Sequence, residues 1–104
     1  MRRVDRFAAE FPEDVVAATA YYDAISSDLG NRFRTSVRET LQAVRQRPES
    51  FGYMRRPSRG AVLRAFPYVI VFQVTDTAIE FGGLFHASAD PQKWSDRMSD
   101  QGLE

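Results

Sequence analysis

Apolar residues recur at helical spacing through the first half of the chain and crowd into short runs through the second. Val15, Ala18, Tyr22, Ile25 and Leu29 follow one another at steps of three and four, which makes one stripe on a helix. Pro12 suits the first turn of that helix, Glu13 and Asp14 favour the positive end of its dipole, and Gly30 stands where a helix commonly ends. Asn31 is then the expected cap of a second helix. Its buried stripe is Phe33, Val37, Leu41 and Val44; Arg34, Arg38 and Arg45 lie off the stripe, and Pro48 stops it. So short a connection makes the pair an antiparallel hairpin, and two one-sided helices need a sheet to sit on.

Strand signals lie on both sides of the hairpin. "VDRFAAEF" alternates Phe7, Ala9 and Phe11 against Val4, Arg6 and Ala8 and reads as a first strand. Residues 48–60, "PESFGYMRRPSRG", read as a loop partly ordered by Phe51 and Tyr53. The most apolar run, "RAFPYVIVFQV", carries a proline in its middle, and proline cannot donate to a sheet ladder. The run therefore divides into two antiparallel strands, 61–66 and 68–74, with Pro67 fixing the corner and Phe66 and Tyr68 anchoring it to the core. Tyr68, Ile70, Phe72 and Val74 share one strand face. A turn at 75–77 leads to "AIEFGGLFHA", a strand in which Gly82-Gly83 predicts a bulge or a close backbone approach. "DPQKWSDRM" is a short helix with Asp90 as its cap and Pro91 at its first position.

The order is thus β-α-α-β-β-β. It specifies an α+β fold, with a helical hairpin packed on a small, mainly antiparallel sheet and a short C-terminal helix. One domain, residues 1–98, is expected, with 99–104 as a flexible tail.

Charge changes this picture more than size does. The 104 residues carry no net charge, yet residues 45–64 hold six arginines against Glu49 alone. That segment is +5 and the remainder −5. Such a patch suits an acidic partner or a phosphate backbone. Cysteine is absent and there is one histidine, so no thiolate metal site or disulfide can form. No glycine-rich phosphate loop is present, and no metal or cofactor is indicated. The start has no apolar signal region and no run is long enough to span a bilayer, so no membrane association and a cytoplasmic location are expected.

Four segments, taken together, resemble the RelE/ParE family of toxins from bacterial type II toxin–antitoxin systems. They are "AYYDAISSDLGNRFR", "RQRPESFG", "LRAFPYVIVFQV" and "HASADPQKWSDR", spread over residues 4–97. The resemblance implies a growth-inhibiting protein of the kind found in plasmid stabilisation systems, neutralised by a cognate antitoxin that wraps its surface. It leaves the target open, because RelE-like members cut mRNA on the ribosome and ParE-like members trap DNA gyrase on DNA.

The two activities ask for different residues. RNA cleavage needs a general base, a general acid and a cation at the phosphate. Arg59, Arg64 and His86 are the candidate catalytic set, with Lys93 nearby. Close relatives in the family often carry arginines between this histidine and "DP", where this chain has Ala87, Ser88 and Ala89. The tail adds Asp100 and Glu104, which repel RNA. These departures weaken the nuclease reading and leave the question of an enzyme open, with a lean against it. Gyrase binding needs only a surface with aromatic and arginine anchors. Tyr53, Arg55, Arg56, Lys93, Trp94 and Arg97 are the candidate partner-binding residues. A toxin homologue that only binds its antitoxin is a third reading.

Overall fold

A computed structural model describes residues 2–100. The elements run β1 (Val4–Phe7), α1 (Glu10–Ile25), α2 (Ser27–Gln46), a 3-10 turn (Pro48–Ser50), β2 (Tyr53–Arg55), β3 (Ser58–Val62), β4 (Tyr68–Val74), β5 (Ala78–His86) and α3 (Pro91–Asp100). The five strands form one sheet in the order β1-β5-β4-β3-β2. Only β1 runs parallel to its neighbour; every other pairing is antiparallel. The α+β architecture, with its helical hairpin, mainly antiparallel sheet and C-terminal helix, is the expected one, with one strand more.

That extra strand is β2, which pairs with β3 inside the segment read as a loop. Arg, Pro and Gly hide it in the sequence, and it is a bulged edge strand of three residues. Correspondingly, β3 starts at Ser58 and ends at Val62, earlier than the expected 61–66. The first strand stops at Phe7, not Phe11, because Phe11 belongs to the first turn of α1 and is buried there. The helical hairpin also turns earlier than glycine suggests. Ser26, not Asn31, caps α2, its hydroxyl accepting from the Leu29 N–H at 3.0 Å. Gly30 lies within α2, where a Cβ would run into the Asp23 carboxylate of α1. Its small size permits the close approach of the two helices, and Arg34 then clamps Asp23 at 2.5 Å. With α1 ended at Ile25, that residue leaves the buried stripe and is 60% exposed. Helix α3 continues to Asp100, past the expected start of the tail; residues 101–104 lie outside the described residues.

Strand β4 is buried on both faces. Ile70 and Phe72 pack with Phe81 and Leu84 under Phe33, Val37 and Val44 of the hairpin. Val69 and Val71 pack with Phe85 under Trp94 and Met98 of α3. The expected apolar face of β4 is therefore one of two. The β4–β5 ladder skips Gly82, since Val71 pairs with Gly83 and Phe72 with Phe81. Gly82 is thus a bulge and also a close approach, because Met98 occupies the space a side chain would need. A buried Gln73 amide donates to the buried Ser58 hydroxyl at 3.1 Å, so the polar pair inside the sheet is satisfied.

The corner between β3 and β4 follows from proline chemistry. The Tyr68 N–H donates to the Phe66 carbonyl at 2.8 Å, a three-residue turn centred on Pro67, whose fixed φ suits an inverse γ-turn. Phe66 and Tyr68 pack against Phe33 and Tyr22 as expected. Ala65, two residues earlier, has φ 68°, a left-handed conformation that costs an L-residue free energy.

Two outcomes test these points. Ala65→Gly is expected to raise stability by up to about 1 kcal/mol, a melting shift of several degrees upward; a lower melting temperature would contradict the left-handed assignment. Burial, with the nearby Tyr68 and Tyr21 hydroxyls, pushes the Tyr22 phenol above its ordinary value of 10.0. A raised acid stabilises the fold while protonated, so this contribution is complete below pH 10 and is lost as pH climbs through the folded-state value. Melting temperature should fall more steeply above pH 10 for the wild-type chain than for Tyr22→Phe.

Candidate partner-binding surface

The sheet separates the candidate catalytic residues. Arg59 pairs across the ladder with Phe72, whereas His86 pairs with Tyr68. Four residue steps along β4, about 13 Å at strand rise, separate those two rungs. Arg64 sits in the turn at the His86 end, but it lines a groove of about 410 Å³ against α2, with Leu29, Thr35 and Phe66. His86 lines a different groove, against α3. Arg64 and His86 therefore line different grooves, and Arg59 stands four residue steps of β4 from the His86 rung.

Each of the three has its own surroundings. Arg59 donates to the Phe51 carbonyl at 2.7 Å, the Glu49 carbonyl at 3.3 Å and the Tyr53 hydroxyl at 2.8 Å. It fastens the 49–53 segment to β3. The His86 ring meets Tyr68 edge to face at 5.2 Å. Its Nδ1 accepts from the Ser88 N–H at 3.1 Å, with the Ser88 hydroxyl at 2.7 Å. That acceptor role leaves Nε2 to carry the proton of the neutral ring. The Arg64 carbonyl accepts from the buried Ser36 hydroxyl, while its guanidinium is exposed.

The hairpin formed by β2 and β3 concentrates charge. Tyr53 lies between two guanidinium groups, Arg59 at 4.0 Å and Arg56 at 4.3 Å from its ring centre. On the other side of the strand Arg55 donates to the Ser95 hydroxyl at 3.2 Å and lies over Trp94 at 5.7 Å. Arg3, Arg32, Arg34, Arg45 and Arg97 all pair with carboxylates. Arg55, Arg56 and Arg59 pair with none among the described residues; rings and neutral oxygens hold them instead. Three fixed cations without counter-charge are prepared for an anionic group, since their ordering cost is already met by the fold.

The other candidate partner-binding residues divide. Lys93 is exposed in the first turn of α3. Trp94 is 4% exposed and lids the sheet. Arg97 lies over Phe85 and pairs with Asp14 of α1. Asp14 also accepts from the Leu84 N–H at 3.0 Å, closing the part of β5 that extends past β1. Nothing in the sequence linked Asp14 to Arg97, 83 residues later.

A second surface lies on the outer side of α1, where the sequence expectations placed no site. Val16, Ala17, Ala20, Tyr21 and Ala24 recur at helical spacing on the side of α1 opposite its packed stripe. Val16 is 68% and Tyr21 63% exposed. From Val15 to Tyr22 helix α1 carries no charged residue on any side, a pattern proper to a buried helix, and its outer face has no cover among the described residues.

No family model matches the chain, and no curated protein does. A solved structure titled "Chromosomal ParDE TA system from P. aeruginosa" holds a chain that superposes with a TM-score of 0.71, over 81% of this chain and 95% of that one, at 12% identity. The chain has a RelE/ParE-type fold. At that identity the likeness is one of architecture, and the residues above carry the rest.

Arg59 and Arg56 should respond differently to the same change. Arg59→Lys loses the hydrogen-bonding fork that holds two carbonyls and is expected to lower stability by about 1–2 kcal/mol in denaturant melts. Arg56→Lys, which keeps a cation on an exposed ring, should change it by less than about 0.5 kcal/mol. Equal effects would mean that Arg59 is no anchor.

Proposed function

We propose that this protein is the toxin of a type II toxin–antitoxin system, acting in the cytoplasm and inhibiting growth by ParE-like engagement of DNA gyrase. The separation of Arg59 from His86 along β4 carries the choice of target. General base, general acid and phosphate cation must meet within hydrogen-bonding reach of one scissile bond. Here Arg59 and His86 are divided by about 13 Å of strand, and Arg64 opens into another groove. A binding toxin needs no such convergence, and the unpaired Arg55, Arg56 and Arg59 beside Tyr53 are anchors of the type that protein interfaces favour.

A cognate antitoxin accounts for the outer face of α1. An amphipathic segment laid against Val16, Ala20 and Tyr21 would bury the apolar surface that this chain exposes. Its acidic residues would find Arg38, one helical turn from Arg34, which lines a groove with Val16 and Ala20. Covering this face blocks toxicity only if the bound antitoxin also obstructs the hairpin, by bulk or by wrapping.

Tightly controlled expression in growing cells, followed by purified supercoiling assays, tests the target. The expected outcome is arrest with filamentation, a DNA damage response and intact total RNA. Loss of gyrase supercoiling with accumulation of cleaved DNA complexes is expected in vitro. Rapid arrest with mRNA cut at ribosome-bound codons would assign the chain to the RNA-cutting class. Unimpaired growth with folded protein present would leave only antitoxin binding.

A further inference from the structure

The groove between the end of β5 and α3 has a composition of its own. It encloses about 360 Å³ and is lined by Met54, Val69, Ala87, Ala89, Pro91 and Trp94, with Arg55 and His86 as its polar members. The small side chains at 87 and 89 keep it open; an arginine at either position would fill it. Both polar members are donors. Arg55 offers a guanidinium with no carboxylate partner, and one of its N–H groups already reaches Ser95. His86 has Nδ1 engaged by Ser88, so its remaining nitrogen presents an N–H. No carboxylate lines the groove. Apolar walls with donors alone at the rim call for an apolar body bearing an acceptor of negative charge.

The surface continues past the groove. Val62 pairs with Val69 across the ladder and is 70% exposed, and Met54 is 41% exposed. These residues extend the apolar area along the β3 side of the sheet, farther than a free carboxylic acid would reach. We propose that the β5–α3 groove of Arg55, His86, Met54 and Trp94 seats an acidic, apolar segment of a partner polypeptide, a large side chain entering the cavity and a neighbouring carboxylate meeting Arg55. The groove is defined by its own residues and holds whichever cellular target the chain acts on.

Trp94 is the only tryptophan in the chain and forms one wall, so its emission reports occupancy. The full chain is titrated with an N-acetylated nonapeptide alternating leucine and glutamate, with the same peptide carrying glutamine for glutamate, and with 4-phenylbutyrate. A saturable change in Trp94 emission with the glutamate peptide is expected, with affinity at least about tenfold weaker for the glutamine peptide. Arg55→Gln should weaken the glutamate peptide by a similar factor. Ala87→Arg, at an exposed position, should abolish binding with an unchanged melting temperature. Gln42→Ala, at an exposed position of α2, should leave it unaltered. No saturable change, equal affinity for the two peptides, or unaffected binding by Ala87→Arg would each overturn the proposal. Binding of 4-phenylbutyrate alone would overturn the polypeptide occupant. None of these readouts involves gyrase or growth, so their failure is separate from failure of the toxin assignment.

Discussion

Burial of β4 on both faces is the constraint on which the rest of the molecule depends. A strand with one wet face would need only the helical hairpin. This one also needs α3, because Val69 and Val71 would otherwise face water. Removing a fully buried side chain such as Phe72 costs about 3–5 kcal/mol, a large part of a margin of about 5–15 kcal/mol. Both layers are therefore obligatory, and both must approach closely. Gly82 lets Met98 down onto one face, and Gly30 lets α1 and α2 close over the other. Asp14 then ties the two layers around the open side of β5, through Leu84 and Arg97.

That arrangement decides which side chains are left for partners. Arg97 is committed to Asp14, while Trp94 holds α3 to the sheet and leaves only the wall it gives to the β5–α3 groove. Strand β2, added at the far edge, lifts Arg55, Arg56 and Tyr53 out of the core onto a short hairpin. The charge of the 45–64 segment is thereby sorted. Arg45 pairs with Asp5 at 2.5 Å, whereas the hairpin arginines are held without neutralisation. A chain with no net charge thus displays a local cation cluster whose effect is short-ranged, reaching about 10 Å at moderate salt.

Much of this was legible in the residues themselves. The 3.6-residue stripe of α2, the proline corner at 67, the Gly82 bulge and the Asp90 cap each follow from a local rule, and each is where that rule places it. Local rules failed where packing across the chain prevails. Gly30 looked like a helix end because glycine often is one, while here it serves interhelical contact. Phe11 kept strand alternation with Phe7 yet belongs to the helix, stacking near Phe7 and Phe81 from the next turn of the backbone. Strand β2 was masked by Arg and Pro, residues that protect an edge. Candidate site residues were identifiable by type, but their division between two ends of the sheet is a matter of register, which no spacing in the sequence contains. The outer stripe of α1 was present in "VVAATAYY" and became visible only once the opposite stripe was seen to be packed.

In the proposed reading Arg64 and His86 form no catalytic centre, and growth arrest arises from binding. The most direct measurement is growth arrest by the double variant Arg64→Ala/His86→Ala, with folding confirmed by an unchanged melting temperature. The account predicts arrest close to the wild-type level, since Arg64 opens into another groove and the β5–α3 groove that loses His86 keeps its Arg55 donor. Loss of toxicity by orders of magnitude from a folded double variant would contradict it and restore those two residues to the chemistry of RNA cleavage.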